Sequence, residues 1–452
     1  MHPTMLMLLT LVGVTYHASA FHITPVSYTV SATDSTRMLR TSNMKRRPRS
    51  MASAGNLVAT PLFSSDNSAR DGDRSPSSSS SSSGTSTPGA ATMKGGLMTR
   101  GGFGSTAAGA ALAALLAGPS VADGAAGGGG TKRTVVLTGA SSGIGLDAAT
   151  KLVSLGHDVH VACRTEAKAQ AAAKKSGAAG AFACDLSSLD SVRGFADAWG
   201  GKPIDTLCLN AGMAPSTKGS ARYCAEGFEE TIGTNHLGHF LLANLLIKPL
   251  EAGALGQPRL VVTASSVHDP DTPGGNVGSK ATLGDMSGLT GYLAADGASR
   301  KFDMVDGGAY DGDKAYKDSK LCNVLFTLEA QRRLSASKSK VKVDCFSPGL
   351  IPSSGLFRNQ NPIFSKIFDF AATNIIKVAA TIGQGGDALV EMVTEVSLQE
   401  GAGGRFLATE PGKPDSAFAT QAVSVEAQDV AKGQRLWGLS AECVGLGQKT
   451  PI

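Results

Sequence analysis

The residues from Thr134 to Gly145 (TVVLTGASSGIG) constrain this chain more than any other feature. Thr134–Thr138 is a run of β-branched and apolar residues without polar alternation, the pattern of a strand buried on both faces. It enters Gly139-Ala-Ser141-Ser142-Gly143-Ile144-Gly145, and a helical pattern follows through Leu155. Strand, glycine-rich turn and helix are what a pyrophosphate requires. Gly139 permits the tight turn, Gly143 lets the backbone approach the phosphates, and Gly145 lets helix and strand pack closely. The helix N-terminus offers unpaired N–H groups and the positive end of its dipole. A glycine turn alone also occurs without a ligand; the flanking strand and helix give this one its weight.

The rest of the 452-residue chain divides in two. Up to about residue 130 it is rich in Ser, Gly, Ala and Arg. Beyond that, apolar runs alternate with helical patterns, enough chain for one large α/β core. The formal charge of +5 sits largely in the first part: residues 21–70 hold seven Lys/Arg against Asp34 and Asp66. No basic stripe is interleaved with aromatics, so no nucleic-acid partner is expected. The seven cysteines form no CxxC pair, and no His cluster has metal-ligand spacing. Reduced, buried thiols and no metal are expected.

Residues 5–13 are apolar but too short to span a bilayer, and Ala18-Ser19-Ala20 precedes Phe21. Small residues three and one before a cut suit a signal peptidase, so residues 1–20 read as a signal peptide. The segment from Phe21 to about Arg70 is Arg- and Ser-rich and acid-poor, like a transit peptide. The junction resembles the bipartite presequences of plastids derived from a secondary red alga, where the signal peptide is cut before a Phe. Residues 21–130 are therefore read as a targeting region. It includes a Ser-rich linker at 74–89. The apolar run Ala107 to Ala122 reads as a thylakoid-transfer signal, a membrane-contacting helix or a flexible spacer. The folded domain is expected from Thr131 onward.

Within that domain the second strand is expected at Asp158–Ala162. Arg164 follows it, with Lys168 four residues on and on the same face if that segment is helical. Bases here suit a ribose 2′-phosphate, as an acid would suit the 2′-hydroxyl, so the expected cofactor is NADPH. Solvated surface charges are the plainer alternative. Asp185, after a strand at Ala181–Cys184, is placed to meet the adenine. A fourth strand, Ile204–Leu209, ends in Asn210-Ala211-Gly212. A fifth, Leu260–Ala264, ends at Ser265, with Ser266 as the competing hydroxyl. A sixth, Val341–Phe346, leads to Pro348-Gly349, expected beside the nicotinamide.

Tyr316 and Lys320 share a face if helical. An ammonium beside a phenol lowers the tyrosine pKa from its reference of about 10, which would let Tyr316 donate a proton near neutral pH. Lys320 is also expected to hold the nicotinamide ribose. Asn235, on a predicted helix, is expected to hold a water that links Lys320 to solvent.

Thr138–Gly145, Asn210–Gly212, Asn235, Ser265, Tyr316, Lys320 and Pro348-Gly349 follow the order of the short-chain dehydrogenase/reductase family. The chain resembles that family from residue 131 to about 440. The resemblance implies a single-domain, doubly wound (Rossmann) α/β fold with a parallel sheet of about seven strands. Ser265 and Tyr316 lie 51 residues apart, farther than in simple members, so an insertion occupies roughly 268–312. It is read as a substrate-side loop. The wording of Asn276–Met286, Asp306–Asn323, Thr234–Phe240, Gly355–Arg358 and Val425–Leu446 is similar to the light-dependent NADPH:protochlorophyllide oxidoreductase family. That resemblance implies a hydride from NADPH to one carbon of a ring double bond in the light-excited pigment and a proton to its neighbour. It implies Tyr316 as proton donor, Lys320 as its electrostatic partner, a tetrapyrrole substrate and a role in chlorophyll biosynthesis in a plastid. Peripheral thylakoid contact and homo-oligomerisation go with this reading.

Two departures stand out. Leu350 follows the Pro-Gly turn where that family usually has Cys, and Phe346 replaces an aromatic hydroxyl upstream. Neither side chain can donate a hydrogen bond. Both are expected on the substrate side. They keep open a plastid reductase of another pigment or terpenoid carbonyl, and an NADPH-binding pigment protein without turnover.

Overall fold

The computed structural model describes residues 132–215, 219–353, 379–395 and 401–452. The presequence, the apolar run 107–122 and Gly355–Arg358 lie outside the described residues. The six apolar runs of the sequence form β1 (Thr134–Thr138), β2 (Asp158–Cys163), β3 (Gly180–Ala183), β4 (Thr206–Leu209), β5 (Arg259–Thr263) and β6 (Lys342–Phe346). Two short strands follow, β7 (Phe406–Ala408) and β8 (Ala419–Gln421). They make one eight-stranded sheet in the order β3-β2-β1-β4-β5-β6-β7-β8. Every pairing is parallel except β7 with β8. Parallel strands need covering on both faces, and β4 and β5 are buried along their whole length.

One face packs on α1 (Gly143–Ser154), α2 (Glu166–Ser176) and α7 (Ile382–Thr394). The other packs on α3 (Leu189–Trp199), α4 (Gly238–Glu251), α6 (Gly312–Ala336) and α8 (Val430–Cys443). Gly177 and Gly200 end α2 and α3 in the left-handed conformation that a helix C-terminus favours. Phe240 of α4 and Phe326 of α6 both contact the Trp437 ring of α8, at 4.8 and 5.6 Å. Each such pair contributes about 0.5–1.5 kcal/mol beyond the area it buries. All seven cysteines are buried free thiols.

The insertion at 268–312 does not behave as a loop over the site. Its helix α5 (Ser287–Ala294) and flanking residues bury Leu283, Met286, Leu289, Phe302 and Val305 in the core. Tyr292 packs on Phe228 at 4.9 Å and donates to the Glu226 carbonyl at 3.0 Å. Its polar ends are bound to the start of α6. Lys317 donates to the carbonyls of Val277 and Ser279, and Lys314 donates to the Thr282 carbonyl at 2.7 Å and pairs with Asp306 at 3.0 Å. The apolar residues sink into the core and the acids find lysines of α6, so the segment braces the helix that carries Tyr316.

Candidate active site

The strand order reverses between β1 and β4, which opens a crevice at the carboxyl ends of these strands. A cavity of about 540 Å³ lies there. Its floor is the turn after β1: Gly139, Ser141, Ser142, Gly143, Ile144 and Gly145 all line it. Gly139 has φ +74°, and a Cβ on it would stand 2.6 Å from the Ala211 Cα. A Cβ on Gly145 would stand 2.6 Å from the Gly139 carbonyl oxygen and 2.7 Å from the Asn210 amide nitrogen. Both glycines are there because β1, α1 and the end of β4 leave no room for a side chain. Ser142, the N-cap of α1, makes no side-chain hydrogen bond to the first turn. The helix therefore turns uncapped N–H donors and its positive end toward the cavity.

The turn after β4 supplies Asn210, Ala211 and Gly212 to the wall. The Asn210 amide donates to the Thr138 carbonyl at 3.0 Å, and the backbone N–H groups of Asn210 and Ala211 donate to the Thr138 hydroxyl at 2.9 and 3.0 Å. At the adenosine end Arg164, Lys168 and Asp185 line the cavity. The helical spacing expected for Arg164 and Lys168 is not how they converge. Thr165 caps α2, accepting the Lys168 N–H at 3.4 Å, so Arg164 precedes the helix and Lys168 lies in its first turn. Arg164 stands 3.9 Å from the Asp185 carboxylate, which also accepts the Ser187 hydroxyl at 2.7 Å. The residues present fit a dinucleotide phosphate: uncapped helix donors at the centre and two cations at one end.

At the other end are Ser265, Tyr316, Lys320, Pro348 and Gly349. Ser265 is the hydroxyl that faces the cavity. Ser266 does not line the cavity; its backbone N–H donates to the Ser347 hydroxyl at 3.2 Å and its carbonyl accepts from Thr272 at 2.9 Å. Lys320 is buried on α6, one turn after the half-buried Tyr316, with its Nζ 5.6 Å from the centre of the Tyr316 ring. The ammonium donates to the Thr263 carbonyl at 3.2 Å. Burial raises the Tyr316 pKa above its ordinary value, and the hydrogen bond from Ser265 offsets only part of that. Burial also lowers Lys320, to about 8. The expected lowering of the phenol by the ammonium is therefore corrected: burial is the largest influence on Tyr316, and the counteracting one is the Ser265 hydrogen bond.

Asn235 is corrected as well. It does not line the cavity but stands fully buried behind Gly212. Its Oδ1 accepts the Met213 N–H at 2.9 Å, and its amide donates to the Met213 carbonyl at 2.9 Å and to the Ser319 hydroxyl at 3.0 Å. Both amide protons are spent, and the side chain forms a strut between the β4 turn and α6. It lies in a π-helical turn, Gly233–Leu237, that leads into α4. Phe346 is also misplaced by the sequence: it is fully buried in β6, 6.3 Å from Phe418, and does not line the cavity. Leu350 is 38 % exposed between Gly349 and Ile351, and those two neighbours line the cavity while it does not. Sequence reasoning missed Leu186, Met213, Thr234 and Ile351 as lining residues. Met213 and Ile351 each sit one or two positions beyond a recognised glycine, which was the available signal.

Fold and cavity together define an NADPH-dependent oxidoreductase of the short-chain dehydrogenase class. Residues 133–303 match the short chain dehydrogenase family. A protochlorophyllide reductase of Cucumis sativus is 39% identical over 322 residues, covering 70% of this chain and 78% of that protein. One from Avena sativa is 40% identical over 320 residues, covering 69% of this chain and 99% of that protein. The chain belongs to the protochlorophyllide reductase family. Among solved structures, an uncharacterized protein from Mycobacterium Paratuberculosis is 29% identical with a TM-score of 0.50, covering 70% of this chain and 95% of that one.

Proposed function

We propose that this chain reduces protochlorophyllide to chlorophyllide in a plastid, with NADPH as the reductant and light absorbed by the pigment. The observation that carries the reading is one cavity with two ends: Arg164 and Lys168 at one, Ser265, Tyr316 and Lys320 at the other. The identity to the Cucumis sativus and Avena sativa reductases supports the substrate. The chloroplastic designation of the first supports the location.

NADPH, when bound, supplies the hydride. The turn Ser141–Gly145 and the N-terminus of α1 would hold the pyrophosphate, Arg164 and Lys168 the 2′-phosphate, and Asp185 the adenine edge. Pro348 and Gly349 would back the nicotinamide, and Lys320 its ribose. Tyr316 would give its phenolic proton to the reduced pigment, with Ser265 orienting the hydroxyl. A cation stabilises a developing phenolate more strongly than it does the neutral phenol, so Lys320 acts as the proton leaves. Asn235 would keep α6 at a fixed distance from the β4 turn.

We read residues 1–130 as the plastid-targeting region and assign any peripheral membrane contact to the run 107–122. Among the described residues no helix is long and apolar enough to cross a membrane. The test is the full-length chain with NADPH and protochlorophyllide, in darkness and under illumination. Chlorophyllide formed only in the light supports the proposal. Reduction of a carbonyl in the dark would favour a different pigment reductase, and NADPH binding without any product would favour a non-catalytic pigment protein.

A further inference from the structure

The fully buried ring of His239, on α4, joins the cofactor turn to the strut Asn235. Its Nδ1 lies 3.1 Å from the Asn235 backbone carbonyl, and its Nε2 lies 3.0 Å from the Thr138 hydroxyl. A carbonyl can only accept, so Nδ1 carries a proton. The state of Nε2 follows from Thr138. That hydroxyl already accepts two N–H bonds, from Asn210 at 2.9 Å and Ala211 at 3.0 Å. Both lone pairs are used, and what it has left is its proton. That proton has two acceptors in reach, the Cys208 carbonyl at 3.2 Å and the closer Nε2 at 3.0 Å, and with both lone pairs used only a bare Nε2 can bond to it. A second proton on the ring would face a hydroxyl with nothing to receive it. Burial points the same way, lowering the His239 pKa to about 3, with the nearby Lys320 charge adding to the effect.

We propose that His239 is a positioning residue, held as the neutral Nδ1–H tautomer, that sets the cofactor turn through Nε2 and the catalytic helix through Nδ1. On the Nε2 side, drawing the Thr138 proton together with the Cys208 carbonyl keeps both Thr138 lone pairs aimed at the Asn210 and Ala211 N–H groups, and so fixes the β4 turn against Gly139. On the Nδ1 side, it pins the π-helical carbonyl of the residue whose amide spans Met213 and Ser319, the neighbour of Lys320. The two links are chemically separate, so they can be cut one at a time. The inference rests on NADPH occupying the cavity and on Tyr316 and Lys320 as the reacting pair.

The test uses the full-length chain. An Asn amide reaches the Nδ1 position and a Gln amide the Nε2 position of histidine, so His239→Gln keeps the Thr138 link and His239→Asn keeps the Asn235 link. NADPH affinity is read in the dark by nicotinamide fluorescence without pigment, turnover under light, and stability by thermal melting. A buried hydrogen bond lost from one partner is worth roughly fivefold to a hundredfold in an equilibrium. His239→Gln is expected to hold NADPH within about twofold of the parent while kcat falls about tenfold. His239→Asn is expected to bind NADPH about tenfold more weakly, with the smaller loss in kcat at saturating NADPH. Losses in both variants that simply follow the fall in melting temperature, or no change in either, would overturn the proposal. Histidine 15N spectra of the parent test it independently of any variant's folding. A protonated Nδ1 and a bare Nε2, unchanged from about pH 5 to about pH 8, support it. An Nε2–H tautomer or a titration in that range contradicts it. Because affinity and ring signal need no pigment, a failure of pigment reduction leaves this test intact.

Discussion

Lys314 and Asp318 form a 2.5 Å ion pair across the turn of α6 that carries Tyr316. Asp318 is fully buried and also accepts the Thr282 N–H at 3.0 Å, while Lys314 reaches Thr282 and Asp306. Burial pushes the Asp318 carboxyl up to about 7, against the pull of Lys314. The pair therefore fastens Thr282 and Asp306 of the 268–312 insertion to the catalytic helix at a cost in desolvation.

Removing one partner is predicted to hurt more than removing both. Lys314→Met leaves the Asp318 carboxylate buried without its cation and should destabilise the chain by about 3–5 kcal/mol. Lys314→Met with Asp318→Leu should recover part of that. Denaturant unfolding gives both values. Light-driven kcat should fall in the single variant, because Tyr316 lies in the released turn.

Lys320 is predicted to make the NADPH-free chain less stable at neutral pH. Its pKa falls from 10.5 unfolded to about 8 folded. Above 10.5 the residue is neutral in both states and costs nothing. As pH falls toward 8, the unfolded chain takes up the proton first, so stability is lost, and below 8 the loss is complete. Lys320→Met should thus gain about 3 kcal/mol at pH near 7, with the gain shrinking to nothing near pH 10.5. Melting curves of both proteins against pH check this; a pH-independent difference contradicts it.

Cofactor choice is predicted to reside in Arg164 and Lys168. Replacing both with Ala should weaken NADPH by about ten- to a hundredfold and leave NADH nearly unchanged, because only the 2′-phosphate loses partners. Dark binding titrations with the two cofactors measure the ratio.

Leu350→Cys is predicted to speed turnover. The side chain is 38 % exposed beside the cavity-lining Gly349 and Ile351, and a thiol there can donate a proton where Leu cannot. An unchanged or slower light-driven rate would count against a proton-delivery role for that position.

How much of this was legible varied with the kind of information each feature needs. Strands β1 to β6 were placed to within two residues at each end, because continuous apolar runs are written directly in the sequence. The three-residue strands Phe406–Ala408 and Ala419–Gln421 are too short to carry a period. The antiparallel turn of the last strand was not anticipated. All residues expected around the cofactor do line the cavity except Asn235, whose displacement reflects a π-helical turn that no 3.6-residue pattern reveals. The insertion looked loop-like because Gly and Asp dominate it; only tertiary contact shows Leu283, Met286 and Leu289 in the core. The Tyr316–Lys320 spacing gave a shared face, but not that burial would be the largest influence on the phenol.

The central claim, that the Tyr316 phenol beside Lys320 supplies the proton in a cavity that binds NADPH, is tested most directly by Tyr316→Phe. The measurement is the light-driven rate at saturating NADPH, with NADPH affinity determined in the same preparation. The account predicts a rate lower by about a hundredfold or more with affinity within a few-fold of the parent. A rate close to the parent's, at unchanged affinity, would contradict it.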